Sequence, residues 1–267
     1  MKQKGFTLIE LIVTMVILST ISIMTTKFLV NGFSFYVDAT NVQKISVTAN
    51  FVTGKMDKLI KNAVPNSIVI AGDGRGITFA PIKWALGYTY IPKNSSEAFD
   101  SNPTFYAIKP LYNAEFIKKN SYVAFNNYGS NEDYFKVTDV DFDGNKAVIK
   151  VDAAGKRFVP GSERGRMYFV GEKNRFVTIK FENSKLVYIE HDGDESKGIK
   201  SIFADSQSIF ADSLNDIFAD SLNDINFSRV AGAFNQYGEI QIEYSFPYDS
   251  IDASKIIYQR IGVANAP

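Results

Sequence analysis

The sequence predicts an α+β protein: a long N-terminal helix, membrane-spanning in its first half, packed on an antiparallel β-rich globular head. Three observations predict it. A nearly uncharged apolar run, FTLIELIVTMVILSTISIM from Phe6 to Met24, follows a short basic start. No proline interrupts the chain before Pro65. Beyond that proline, short alternating segments bounded by Gly, Asn and Asp replace helical spacing.

The chain has 267 residues and is 45% hydrophobic, enough for one large or two small domains with a core. Lys plus Arg and Asp plus Glu both number 29, so net charge gives no argument for nucleic acid as a partner. The absence of cysteine removes disulfides, thiolate metal sites and thiol nucleophiles. A single histidine, His191, argues against a multi-histidine metal centre or a Ser-His-Asp hydrolase. Aromatics at 14%, mostly Phe and Tyr, suit a β-rich body.

Met1 to Lys4 carry two lysines, and the 19 residues from Phe6 to Met24 hold one charge, Glu10. That length is close to the ~20 residues that cross a bilayer core, with the basic end cytoplasmic. A secretory signal would show a shorter apolar core followed by a small-residue cleavage site, so this segment is expected to be retained. An acid in a membrane helix costs a few kcal/mol and calls for a partner. If the chain were cut after Gly5, the new α-amino group of Phe6 would lie one turn from Glu10. The carboxylate could then pair with its own terminus or a neighbour's. A plain single-pass anchor with one tolerated acid accounts for the same residues, and these arguments alone leave both readings open.

Gly5, Phe6, Thr7, Leu8, Ile9, Glu10 and Leu11 resemble the prepilin signature of type IV pilins and type II secretion pseudopilins. The resemblance implies a pilin-type head, cleavage between Gly5 and Phe6 by a prepilin peptidase, and N-methylation of Phe6. It also implies an assembly role for Glu10, with Thr7, in which the carboxylate neutralises a neighbouring subunit's N-terminus. The expected division is a cleaved leader at 1–5, a transmembrane half-helix at 6–27, an amphipathic half at 28–64 and a head at 65–267. Tyr36 to Ala39, Lys61 to Ser67 and Ile77 to Ile82 are similar to the minor pilin O family of the mannose-sensitive haemagglutinin pilus. The absence of cysteine and the internal repeat depart from that family's pattern. The likeness implies a large minor pilin at the tip or in the priming complex; a type II secretion minor pseudopilin of the J or W kind shares the same anchor. Implied partners are other pilins or pseudopilins through the helix, the prepilin peptidase and inner-membrane lipid. The head would lie in the periplasm before assembly, and in a surface pilus or periplasmic pseudopilus after it.

One helix is expected from Phe6 to about Asn62, roughly 85 Å long, with Gly32 its weakest point. Val42, Ile45, Ala49, Val52, Met56, Leu59 and Ala63 recur at steps of three and four, a stripe facing one surface. An oligomeric coiled coil is the alternative.

Ser67–Gly72 and Gly76–Ile82 read as a hairpin around Gly72-Asp-Gly-Arg-Gly76. Further strands are expected at 122–125, 134–140, 146–151, 167–170, 176–181, 186–190, 224–230 and 239–246, with a loop from Pro92 to Pro110. Ile-Phe-Ala-Asp-Ser recurs at 202, 209 and 217, within a repeat insert at 201–225. Such short units cannot build a solenoid, and a partly buried helix is expected there.

No catalytic residue stands out, and the chain is not expected to be an enzyme. Asp139, Asp141, Asp143 and Gly144 imitate half a calcium loop, but Lys150 stands where a bidentate Glu belongs, so an Asp-Gly hairpin is the better reading. Asp192, Asp194 and Glu195 beside His191 form a second acidic turn. No cofactor is expected, with calcium the minor alternative. Gly72 to Gly76 lacks the Gly-Lys-Ser/Thr ending of a phosphate loop. Trp84, Tyr88 and Tyr90 form a candidate aromatic platform for a glycan, with strand core the commoner reason for such spacing.

Overall fold

The computed structural model describes residues 7–65, 67–90, 102–110, 117–125, 134–153, 165–171, 176–183, 185–202, 222, 224–230, 239–248 and 253–262. The chain divides into two compact units, Met1–Val47 with Tyr248–Ala253, and Thr48–Pro247 with Ser254–Pro267. One helix, α1, runs unbroken from Leu8–Lys61. It passes through Gly32 without a break, because a single glycine costs only about 1 kcal/mol within a long cooperative helix. Of the expected stripe, Ala49, Val52, Met56 and Ala63 are buried and Ile45 is too, whereas Val42 and Leu59 are half-buried. Ile60, fully buried, takes the place expected of Leu59. At 100° per residue Leu59 points about 60° to one side of Met56, and Ile60 only about 40° to the other.

In the second unit, three strand systems surround the C-terminal part of α1. The first is a five-stranded antiparallel sheet ordered β1-β2-β9-β10-β11, where β1 is Val69–Ile70, β2 Gly76–Phe79, β9 Phe176–Glu182, β10 Lys185–His191 and β11 Ile199–Ile202. The expected hairpin is present, with Val69 opposite Thr78 and Ile70 opposite Ile77, although β1 keeps only two residues. Gly74 turns it at φ 72°, and a Cβ there would run into Asn226 Oδ1, so both conformation and space demand glycine.

The second system is a closed six-stranded barrel ordered β3-β4-β7-β6-β5-β8. Its strands are β3 Trp84–Tyr90, β4 Thr104–Ile108, β5 Tyr122–Ala124, β6 Phe135–Asp143, β7 Lys146–Asp152 and β8 Arg166–Gly171. Inward positions alternate along each strand and fill the interior with Leu86, Phe105, Val123, Val137, Ile149 and Phe169, among others. Register shifts at Tyr88/Tyr90, Tyr122/Val123 and Val137/Asp139 supply local bends of the kind that close a sheet on itself. The outer faces of β5 and β8 are covered: Ala124, Tyr168 and Val170 pack with Val64 and Ala80, seating the barrel on the end of α1. Ala80 O accepts from Val64 N and Asn62 O from Ile82 N, which fixes that corner.

The third system is the sheet β12-β13-β14, with β12 Asp224–Val230, β13 Glu239–Tyr248 and β14 Ala253–Gly262. Ile240, Ile242, Tyr244 and Phe246 form its buried face. Gln259 joins it to the helix: its Nε2 donates to Thr53 O at 2.9 Å while its Oε1 accepts from Tyr244 Oη at 2.8 Å.

Three expectations are corrected. Thr104–Ile108 within the expected 92–110 loop is a strand, its alternation hidden by flanking Pro and Asn. At the start of the repeat insert Ser201 and Ile202 belong to strand β11, which was not expected, whereas Asp224 and Ile225 at its end open the expected strand β12; apart from Leu222, the partly buried helix expected between them lies outside the described residues. Strands β3, β11 and β14 carry no turn signal strong enough to announce them.

Candidate functional site: the N-terminal half of the helix

Gly5 and Phe6 lie outside the described residues. Thr7 stands just before α1, and its carbonyl accepts from Glu10 N at 3.1 Å and Leu11 N at 3.3 Å, closing the first turn. Glu10 is therefore the third helical residue after Thr7, the Thr-x-x-Glu spacing of a capping box. The positive end of the helix dipole favours a carboxylate there by about 0.3–1 kcal/mol. The signal for it in the sequence is Thr7 and Glu10 three residues apart at the start of an apolar run.

From Leu8 to Val37 the large apolar side chains are exposed on every face, including Leu8 at 80% and Phe28 at 77%. Thr14, Ser19, Thr20, Ser22, Thr25 and Thr26 interrupt this surface, yet each hydroxyl donates to a carbonyl three or four residues back at 2.7–2.9 Å. These hydroxyls thus enter lipid with their hydrogen bonds already made within the helix, and Glu10 is left as the group that calls for a partner. Its mean hydropathy reaches 2.2, and it is long and apolar enough to cross a membrane. The exposed stretch from Leu8 to Val37, in which Glu10 and Lys27 are the only charges, spans about 45 Å, against a hydrocarbon core of about 30 Å. Phe28, Leu29, Val30, Phe33, Phe35 and Tyr36 exceed what a bilayer needs.

Elsewhere the structure separates the candidate residues. Trp84 and Tyr88 pack against the barrel core, while Tyr90, 52% exposed, leans on Tyr106 with centroids 5.5 Å apart. Asp139 and Asp143 lie on β6 opposite Lys150 and Lys146 of β7, and Lys150 Nζ meets Asp139 at 3.3 Å. The Gly144-Asn145 turn between these strands, with Gly144 at φ 56°, makes the Asp-Gly hairpin. In the other acidic turn, Asp194 Oδ1 accepts from Ser196 N and Oγ, and these bonds hold its carboxyl below the ordinary range. Glu195 reaches Lys180 at 2.5 Å.

His191 is turned inward. Its Nδ1 accepts from Gly193 N at 3.2 Å, so the proton sits on Nε2, which donates to Thr178 Oγ1 at 2.9 Å; that hydroxyl donates onward to Thr78 Oγ1 at 2.7 Å. A polar ladder thereby crosses β10, β9 and β2. Burial pushes the imidazole pKa below its ordinary value, outweighing the opposite pull of Glu195, Asp192 and Asp194. The unfolded chain then binds the extra proton more readily, so this stability is whole above about pH 6.5 and is lost as pH falls through the folded-state value. The melting temperature of the full chain in detergent is expected to drop between pH 7 and pH 5, with a shallower drop in His191→Gln. Equal slopes in the two proteins would contradict this assignment.

A single helix that presents a lipid-compatible surface and continues into a β-rich head defines a membrane-anchored protein with its body at the helix's C-terminal side. Residues 1–26 match the family model described as a prokaryotic N-terminal methylation motif. The match supports a type IV pilin-like or pseudopilin protein, assembled with others of its kind and processed by a prepilin peptidase. No curated protein and no solved structure matches the chain.

Proposed function

We propose that the chain is a minor pilin of a type IV pilus, similar to the mannose-sensitive haemagglutinin system, which helps to start or cap filament assembly. Carrying this reading is the methylation motif at residues 1–26, joined without a break to a helix whose apolar surface outruns a bilayer. The leader 1–5 is removed between Gly5 and Phe6, Phe6 is methylated, and residues 6–27 hold the subunit in the inner membrane with its head in the periplasm. Glu10, with Thr7 at the first turn, then meets a neighbour's N-terminus as the helix leaves lipid. The aromatic surplus from Phe28 to Tyr36 supports packing among other helices. The role is structural rather than enzymatic and uses no cofactor. A type II secretion minor pseudopilin of the J or W kind shares every one of these features, and the neighbouring genes would separate the two.

The chain made together with a prepilin peptidase is expected to begin at N-methyl-Phe6 by intact-mass and peptide spectrometry. Gly5→Val is expected to keep the leader in nearly all molecules, because a branched residue blocks the cleavage position. Recovery of the wild-type chain with its leader intact would overturn the proposal.

A further inference from the structure

We propose that the cleft between the β1–β2 hairpin and β12 takes an extended peptide segment of a partner protein, one that carries a lysine and, four residues later, a glutamate. The cleft has a volume of about 650 Å³ and is lined by two unbroken runs of chain, 69–74 and 226–229. At one end its walls touch: Phe227 N donates to Gly74 O at 2.7 Å, and Arg75 pairs with Asp224 through two contacts of 3.2 Å. At the other end the Arg229 guanidinium donates across the gap to Ile68 O. Among the described residues no backbone hydrogen bond joins 68–70 to 228–230, so the two runs part company beyond Gly74.

The main chain of both walls has groups that face the gap. Ala71 N donates to Gly76 O at 2.8 Å, so the alternation of an antiparallel ladder turns Ile70 N–H and C=O away from β2. Phe227 N faces the hairpin, and Arg229, two residues on, turns its own N–H and C=O the same way. Donors and acceptors at strand spacing along a cleft are answered by another extended chain, which supplies the same groups at the same spacing.

Charge selects which chain. Arg229 and Asp73 stand toward opposite ends of the cleft, and among the described residues neither has an ion-pair partner. Arg75 is committed to Asp224, while Asp73 only accepts from Arg75 N at 3.0 Å within the turn. A carbonyl is a weaker partner for a guanidinium than a carboxylate, which engages two of its N–H groups at once. Ile68, where Arg229 rests, and Asp73 are five positions apart; with the bend of the turn taken off, that is about four residues of strand, or about 13 Å. Side chains four residues apart on a strand share a face. The sheet that holds β1 is antiparallel at every pairing, so the incoming chain runs from Asp73 toward Ile68. Its lysine therefore comes first, beside Asp73, and its glutamate second, beside Arg229.

The test uses the full-length protein in detergent micelles and three fluorescent peptides with blocked ends. The first is Val-Lys-Thr-Val-Thr-Glu-Val. The second exchanges its lysine and glutamate, which keeps composition and net charge and reverses only their order. The third is the first peptide N-methylated at its three central amides, which keeps both charges and cannot join a ladder. Saturable binding is expected for the first, at least tenfold weaker binding for the second, and loss of binding for the third. Hydrogen exchange at the Ile70 amide should slow with the first peptide alone. Asp73→Asn keeps an acceptor for Arg75 N, and Arg229→Gln keeps an N–H donor; each is expected to weaken the first peptide at least fivefold and to narrow its advantage over the second.

Equal binding of the two charge orders would overturn the proposal, as would retention of the N-methylated peptide or no binding at all. Wild-type affinity in both variants would overturn it too, since the charges would then have no part in the recognition. The cleft lies in the head and its reading does not rest on the methylation motif, so any of these failures leaves the filament reading intact.

Discussion

Glu10→Val is expected to insert into the inner membrane at least as well as the wild-type chain and to be nearly absent from filaments. Removing the acid relieves an insertion penalty of a few kcal/mol. Under the proposed assembly role the cost falls on the next step, when a neighbour's α-ammonium group would leave the lipid surface without its counter-charge. Deleting one partner of a desolvated ion pair costs about 3–5 kcal/mol, or at least a hundredfold in incorporation. The conservative Glu10→Gln should show most of the same loss, because it keeps size and hydrogen bonding and removes only charge. Immunoblots of a carbonate-resistant membrane fraction and of sheared or pulled-down filaments, from the same cells, give the two quantities. Wild-type levels of Glu10→Val in filaments would reduce the residue to the helix-capping role its spacing also permits.

Phe105→Ala is expected to lower the stability of the head by about 3–5 kcal/mol. Phe105 is fully buried at the centre of the barrel, its ring 4.5 Å from that of Phe125. Its neighbours come from a closed ring of strands, which cannot collapse inward without breaking ladder bonds, so the cavity stays open. For a head of this size that loss corresponds to a fall in melting temperature of about 10 °C. The only tryptophan of the chain, Trp84, packs against this same core and reports barrel unfolding by fluorescence. A shift below about 3 °C would mean that the core repacks around the gap.

How far these features could be read from the amino-acid order depends on what each residue has to satisfy. The helix was legible because a single requirement, lipid on all sides followed by protein on one, imposes itself on every residue from Leu8 to Lys61. Strands β6 to β10 were legible because alternation and turn residues agree, as at Asp143-Gly144. Closure into a barrel was not. Whether Ile149 faces a barrel interior or a flat sheet's core leaves the same alternation, and the bulges that bend the strands leave no reliable mark on composition. Strand β3 was hidden differently: Trp84 and Tyr88 pack against the barrel core beside Leu86, the commoner reason for such spacing, while the same alternating aromatics also suggested a surface platform. At the candidate site the intramembrane acid was visible at once. The self-satisfied hydroxyls of Thr14 to Thr26 required the backbone to be seen.

The position of the barrel in the chain has a kinetic consequence. Strands β2 and β9 are hydrogen-bonded neighbours, yet Phe79 and its partner Val177 are about a hundred residues apart. Bringing such distant ends together in an unstructured chain costs about 4 kcal/mol from length alone. If the barrel forms first, the pairing of Trp84 with Phe169 brings its own ends together, and the loop left to close shrinks to about fifteen residues, about 2 kcal/mol cheaper. The favoured order of folding events is therefore barrel, then the sheet that contains β2 and β9. A chain halted between these steps would expose the unpaired edges of β2 and β9, which makes the speed of barrel formation, as well as final stability, a quantity that guards the head against aggregation.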